Sequence, residues 1–318
     1  MDALHEAALI AVRDCMGVKP GEKALVITDG PTRKIGYALF EVAKKLGAEA
    51  FFIEIITRSS NGQEPPAPVA ELMKLVDVIL IPTLMSMSHT DSRREASKNG
   101  VRIATLPGIT EDLMVRTLGA DYFEIGKLSD AVAKLLTEGF EVRVTSANGT
   151  DVTMDITGRD GAADTGLNHT PGSFSNLPAG EAYLAPMEGR SEGVVVIDGS
   201  MAGIGLLGEE RIRIEITGGY ATAITGGEAA EKLLSLMEPH GAPAFNVAEL
   251  GIGTNDRARI MGNVLEDEKA IGTAHIAFGD NKSMGGTVRV ASHLDGVILS
   301  PSVLIDGKPV LEDGELVL

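Results

Sequence analysis

Tryptophan is absent from this chain, cysteine occurs once, and all aromatics together reach only 4%. The lone thiol, Cys15, cannot close a disulfide within the chain, which excludes a disulfide-stapled fold and fits a reducing compartment. Its place in a helical pattern reads as a buried structural thiol rather than a nucleophile. With so few aromatics, the cores must come from Val, Ile, Leu and Ala, which suit sheets covered by helices. No apolar run approaches the ~20 residues of a membrane-spanning helix. The opening MDALHEAALIAVRD reads as an acidic, amphipathic helix without the basic start, apolar stretch and cleavage site of a secretory signal. The expected location is therefore cytoplasmic. Basic residues are also scarce: 28 Lys and Arg against 45 Asp and Glu give a formal net charge of −17. That field repels phosphate backbones and anionic membranes, so neither nucleic acid nor a membrane is an expected partner. Divalent cations are permitted.

What is present is enough apolar material, 44% of 318 residues, for two domains with real cores. The first part alternates short apolar runs with helical periods. Lys23 to Thr28, Ala50 to Ile56, Asp77 to Pro82 and Val101 to Leu106 read as strands. Thr32 to Leu46 reads as a helix, with Ile35, Leu39 and Val42 on one face. Continuous apolar strands separated by helices predict a parallel, doubly covered sheet. A helix is expected over Tyr122 to Glu138, and after it the pattern changes. Phe140 to Thr157 alternates around an Asn148-Gly149 hairpin signal. Glycine and short strands dominate beyond it, including Gly272 to Phe278 and Gly286 to Leu299. The expected fold class is α/β: an N-terminal doubly covered, mostly parallel sheet over residues 1–137, then a mixed α+β metal-binding domain over 138–318.

Common catalytic and nucleotide motifs are missing. Gly203-Ile-Gly-Leu-Leu-Gly208 fits GxGxxG, but a strand-like alternation follows it where a dinucleotide site needs a helix N-terminus. No phosphate-binding GxxxxGK[ST] loop, HExxH helix or GxSxG elbow occurs.

The chemistry-bearing residues lie between Asn176 and Asp295. Strand alternation puts His293 and Asp295 on one face, with Arg289. An imidazole and a carboxylate aimed into one space can ligate Zn, Mn, Fe or Co, although such a pair also serves as a structural hydrogen-bonded pair. His275 points away from its apolar neighbours and is flanked by the small Thr273 and Ala277. Glu181 and Glu249 interrupt apolar, glycine-rich text, and a carboxylate buried there must reach solvent or a cation. Glu266-Asp267-Glu268-Lys269, taken alone, reads as a solvated turn.

Asn176-Leu-Pro-Ala-Gly-Glu181, Glu249-Leu-Gly-Ile-Gly-Thr-Asn255, Asp267-Glu268 with His275-Ile-Ala-Phe-Gly279, and His293-Leu-Asp295 resemble, in this order, the metal-binding segments of the M29 (aminopeptidase T-like) metallo-aminopeptidases. The resemblance implies a hydrolase: a metalloprotease that removes N-terminal residues from a peptide or small amide substrate. It implies two divalent ions (Zn, Co or Mn) held by Glu181, Glu249, Glu268, His275, His293 and Asp295, with Glu249 bridging. It also implies a homodimer. Glu249 or Glu268 would shuttle the proton. The family's Tyr after the HIALG-type motif is missing, and Lys282 stands near its place as the expected oxyanion donor. One alternative is a mononuclear iron ring-cleaving dioxygenase, a branch with a His at the Glu249 position and without the acid at Glu181 or the His at His275. The carboxylate-rich set here directs the expectation to two ions and hydrolysis. The other alternative is a non-catalytic metal- or ligand-binding protein.

Overall fold

The apolar runs of the N-terminal half become a parallel sheet. In the computed structural model, which describes residues 2–318, strands β1 (Lys23–Asp29), β2 (Glu49–Ile55), β3 (Val78–Ile81) and β4 (Arg102–Thr105) stand in the order β2-β1-β3-β4. Strand β8 (Phe174–Asn176) adds to the β4 edge, and all five strands are parallel. Met1, the first residue of the expected N-terminal helix, lies outside the described residues. Alternation sends Val26, Leu80 and Ala104 to one face. There they pack with apolar residues of α1 (Ala3–Leu9), α2 (Arg33–Lys45) and α5 (Glu111–Thr117). Leu25, Ile27, Ile79, Ile81 and Ile103 go to the other face, with Val69 and Met73 of α3 (Ala67–Met73) and Ala96 of α4 (Asp91–Lys98). Burial on both faces is why these strands read as continuous apolar runs. Each fully buried Leu, Ile or Val contributes roughly 1.5–3 kcal/mol.

The chain divides into two compact units, one built from the chain up to Gly126 with Thr165–Ala179, the other from Lys127–Asp164 with Gly180–Leu318. The expected boundary at 137 is a single point. The observed division is interleaved, because Thr165–Ala179 carries β8 back to the first sheet. Helix α6 (Tyr122–Glu138) has the expected limits.

Two antiparallel sheets form the second unit. One has eight strands: β14 (Tyr220–Thr225), β13 (Ile212–Thr217), β10 (Ser191–Ile197), β6 (Asp151–Asp155), β5 (Glu141–Thr145), β18 (Ser302–Ile305), β19 (Lys308–Glu312) and β20 (Glu315–Leu316). The other has seven, in the order β12 (Gly205–Leu206), β11 (Ser200–Met201), β17 (His293–Leu299), β16 (Thr273–Gly279), β15 (Val247–Gly253), β9 (Glu181–Leu184) and β7 (Ala162–Asp164). Val142, Val152, Val195 and Ile214 from the first share one core with Leu250, Ile252, Ile276, Phe278 and Ile298 from the second, and α7 (Glu228–Met237) adds Ala229, Ala230, Leu233 and Met237. Strand alternation then turns the opposite face of the seven-stranded sheet away from that core. The expected strand over Gly286 to Leu299 begins only at His293, where its pairing with β16 starts at Gly279. Residues 286–292 are loop, because Asn281 Oδ1 accepts the Val288 amide (3.0 Å) and Asp280 Oδ2 accepts the Val290 amide (3.1 Å) in place of a ladder. Arg289 therefore does not share the face of His293 and Asp295. No helix among the described residues is long and apolar enough to cross a membrane.

Candidate metal centre

Every donor named from the sequence comes to one face of the seven-stranded sheet or to the segment beside it. On β15 a bulge between Val247 and Glu249 lets Val247 enter the core while Glu249 points to the other face. Gly251, next on that face, is paired with His275, and a Cβ there would lie 2.1 Å from His275 Nε2. The missing side chain is what lets the imidazole lie across the strand. On β17, His293 and Asp295 are two apart and share a face, as alternation requires. On β9, Glu181 pairs opposite Gly253. Glu268 follows the short helix α8 (Val264–Asp267).

The donors form two groups, each with ligand atoms within 4.8 Å of one another: Glu181, Glu268 and His275, and Glu249, His293 and Asp295. Glu249 lies between them. Its Oε1 is 3.6 Å from His275 Nε2 and its Oε2 is 3.0 Å from His293 Nε2. His293 Nε2 is also 3.2 Å from Asp295 Oδ1, and His275 Nε2 is 3.3 Å from Glu181 Oε2. The groups differ in access: 32% of the His293 side chain is exposed, against 1% of His275.

Lys269 separates the two groups chemically. It is fully buried, and its ammonium donates to Glu181 Oε1 at 2.7 Å and to Glu268. The run Glu266–Lys269 is therefore not the solvated turn its composition implies. Glu266 accepts the Arg259 amide (2.8 Å), and Asp267 accepts those of Met261 (2.7 Å) and Gly262 (2.8 Å), which draws both acids inward.

Four carboxylates face one ammonium here, and the protonation tendencies follow from that excess. Burial pushes the Glu181 carboxyl up to about 8, with Lys269 opposing the rise. Burial raises Glu268 as well. Glu249 moves the other way: burial opposes its charge, but His275 and His293 hold it below the usual carboxylate range. Burial disfavours charge on His275, yet Glu249 and Glu181 bring it up to about 9. His293 is raised well above its ordinary value, because Asp295 and Glu249 outweigh burial. The site lacks positive charge.

The Glu249, His293 and Asp295 group fits a metal ion. His293 Nδ1 lies 2.8 Å from the Asp280 carbonyl oxygen, the contact that fixes a ligating imidazole. A neutral ring donating there presents its Nε2 lone pair to two carboxylates at 3.0 and 3.2 Å. Without a metal the proton held on the raised His293 fills that place, and a bound cation would replace it. The Glu181, Glu268 and His275 group already has a cation in Lys269. Lys282, expected as an oxyanion donor, is exposed on the β16–β17 loop. Lys269 was not legible as a functional residue. Its only sequence signal is a lysine directly after the acid of a ligand-like segment.

A family model described as NicX, 2,5-dihydroxypyridine 5,6-dioxygenase, matches residues 6–318. The curated 2,5-dihydroxypyridine 5,6-dioxygenase of Pseudomonas putida is 25% identical over 304 residues, covering 88% of this chain and 86% of its own. Among solved structures, 2,5-dihydroxypyridine dioxygenase from Pseudomonas putida superposes with a TM-score of 0.85 at 20% identity, covering 100% of this chain and 98% of that one. Wild-type AmpT from Thermus thermophilus gives 0.72 at 19% identity, covering 99% of each chain. The two structural likenesses establish the shared α/β fold, and that to AmpT supports the M29-like architecture. The expected activity is corrected: the family model and the curated relative are those of a dioxygenase, not of an aminopeptidase, protease or other hydrolase. The carboxylate-rich set is not by itself a mark of hydrolysis, since Lys269 neutralises part of it.

Proposed function

The chain belongs to the 2,5-dihydroxypyridine 5,6-dioxygenase family, and from that premise we propose that it opens a dihydroxylated pyridine ring with dioxygen, using one iron ion held by Glu249, His293 and Asp295. One observation carries the single-metal reading in place of the two ions first expected. The Lys269 ammonium, 2.7 Å from Glu181 Oε1 and bonded also to Glu268, is a built-in cation for the second group of donors. The remaining group has one imidazole and two carboxylates, one imidazole fewer than the common non-haem iron triad. The additional negative charge favours a divalent cation. Bound iron would supply the redox centre through which dioxygen reacts with an aromatic ring.

The protein's own residues set the stage for that chemistry. The Asp280 carbonyl fixes the His293 ring and leaves Nε2 free to ligate. Lys269 keeps Glu181 and Glu268 engaged with each other, away from the open group. In the overall change both oxygen atoms enter as the C5–C6 bond of the ring breaks. C5, which bears the hydroxyl, ends as a carboxyl, and C6 as a formyl group on the ring nitrogen. The test is oxygen uptake by protein reconstituted anaerobically with Fe(II) and given 2,5-dihydroxypyridine. One dioxygen consumed per ring lost is expected. No uptake from iron-loaded protein, with amino acids released from peptides instead, would refute the reading.

A further inference from the structure

The loop between β16 and β17 carries the carbonyl that orients His293. β-Hairpin loops usually run ~2–5 residues. This one covers residues 280–292, so the pairing of β16 with β17 does not by itself fix its conformation. The loop is instead closed on itself through its first two residues. The Asp280 amide donates to the Ser292 carbonyl at 2.8 Å, and the Asp280 carboxylate accepts the Val290 amide at 3.1 Å. The Asn281 amide donates to the Val288 carbonyl at 3.2 Å, and Asn281 Oδ1 accepts the Val288 amide at 3.0 Å.

Peptide planarity links the Asn281 contacts to His293. The Asp280 carbonyl and the Asn281 N–H belong to one rigid peptide unit and point to opposite sides of it. Whatever holds that N–H on Val288 also aims the carbonyl at His293 Nδ1, 2.8 Å away. The Asn281 side chain is fully buried and is gripped from outside the loop as well. Its Nδ2 donates at 3.0 Å to Oε1 of Glu188, on the β9–β10 connection. The same oxygen accepts the Thr287 amide at 2.6 Å. Arg159, between β6 and β7, binds the other Glu188 oxygen and the Gly285 carbonyl of the loop. Space for Asn281 comes from Gly286, where a Cβ would lie 2.1 Å from the Asn281 side chain.

We propose that Asn281 is the positioning residue for the His293 imidazole, anchored by Glu188 and Arg159, an inference that rests on the metal reading of Glu249, His293 and Asp295. Asn281 touches no reacting atom. It holds the ring in the direction its Nε2 needs to bind a metal, so less freedom is lost when the ion arrives. Partners that orient a ligating histidine are worth about 10- to 100-fold in metal affinity.

The experiment is Co(II) binding by wild type, Asn281→Ala, Glu188→Ala and Glu188→Gln, in competition with a chelator of known affinity. Co(II) is the probe because its visible absorption bands report the geometry of its ligands. Asn281→Ala and Glu188→Ala are each expected to bind Co(II) about 10-fold more weakly, with the bands displaced. Glu188→Gln keeps an oxygen that can accept from Asn281 and Thr287, and should recover most of the affinity. Should Asn281→Ala fail to fold, Gly286→Ala tests the same link without removing a polar group, since its Cβ would push Asn281 aside. A side chain that merely stabilises the fold would lower the thermal midpoint of the metal-free protein and leave the affinity and the bands as in wild type. That outcome would overturn the positioning role while leaving the dioxygenase reading in place. Weaker, displaced binding in the variants of a wild type that takes up no oxygen when loaded with iron would uphold the role and overturn the dioxygenase reading. A wild type that binds no Co(II) would overturn the role and the metal reading together.

Discussion

Lys269 Nζ lies 2.7 Å from Glu181 Oε1, with both side chains buried. The contact, with the one to Glu268, places a buried positive charge between two acids of one donor group. On the proposed single-iron reading, this ammonium takes the place of a second ion.

Removing that charge tests the relationship. Lys269→Met leaves Glu181 and Glu268 buried without their cation, and breaking a buried ion pair from one side costs about 3–5 kcal/mol. Urea unfolding of the metal-free proteins measures the loss. Zn or Mn should restore part of the stability in the variant by binding the emptied group. A loss below about 1 kcal/mol would show that the ammonium is not what holds the two acids.

Asp295→Asn keeps the size of the side chain but removes one negative charge next to His293 Nε2. Iron binding should fall by at least about 100-fold, beyond the loss typical of residues that merely support a ligand. Iron retention after dialysis against a chelator of known affinity reads this out. Retention equal to wild type would remove Asp295 from the site.

Gly251 is fixed by the imidazole lying across it. In Gly251→Ala the new Cβ would meet His275 Nε2 at 2.1 Å, so the ring must move out of its contact with Glu181. Overpacking of this kind costs about 1–3 kcal/mol and should lower the thermal midpoint by several degrees. An unchanged midpoint would mean that His275 is free to reorient.

Acid should loosen the β16–β17 loop through Glu188. Burial alone would raise its pKa, but the Thr287 amide and Asn281 hold the carboxyl at about 2, below its ordinary 4.5. A carboxyl depressed on folding stabilises the fold fully above pH 4.5, and that contribution is lost as the pH falls towards 2. Solvent screening of this partly exposed carboxylate brings the contribution to on the order of 1 kcal/mol. Denaturant unfolding at pH 6 and pH 3 should therefore show a smaller acid loss in Glu188→Gln than in wild type. Equal losses would place the acid sensitivity elsewhere.

The fold was largely legible because its signals are local. Val, Ile and Leu runs such as Val78–Ile81 announce strands buried on both faces, and the pairing of His293 with Asp295 on one face follows from alternation alone. Three features were not legible. Residues 286–292 look like the start of a strand, but the side chains of Asp280 and Asn281 take their amides. Glu266–Lys269 looks solvated, but its acids are drawn inward by amides of residues 259–262. The carboxylates at Glu181 and Glu268 were recognisable as partners of a cation, yet that cation was a lysine beside them.

Metal content measured together with oxygen uptake on one preparation tests the central claim most directly. The account predicts about one iron per chain after Fe(II) loading, with oxygen uptake on 2,5-dihydroxypyridine proportional to iron bound and no release of amino acids from peptides. Two divalent ions per chain, with peptide hydrolysis and no oxygen uptake, would contradict it.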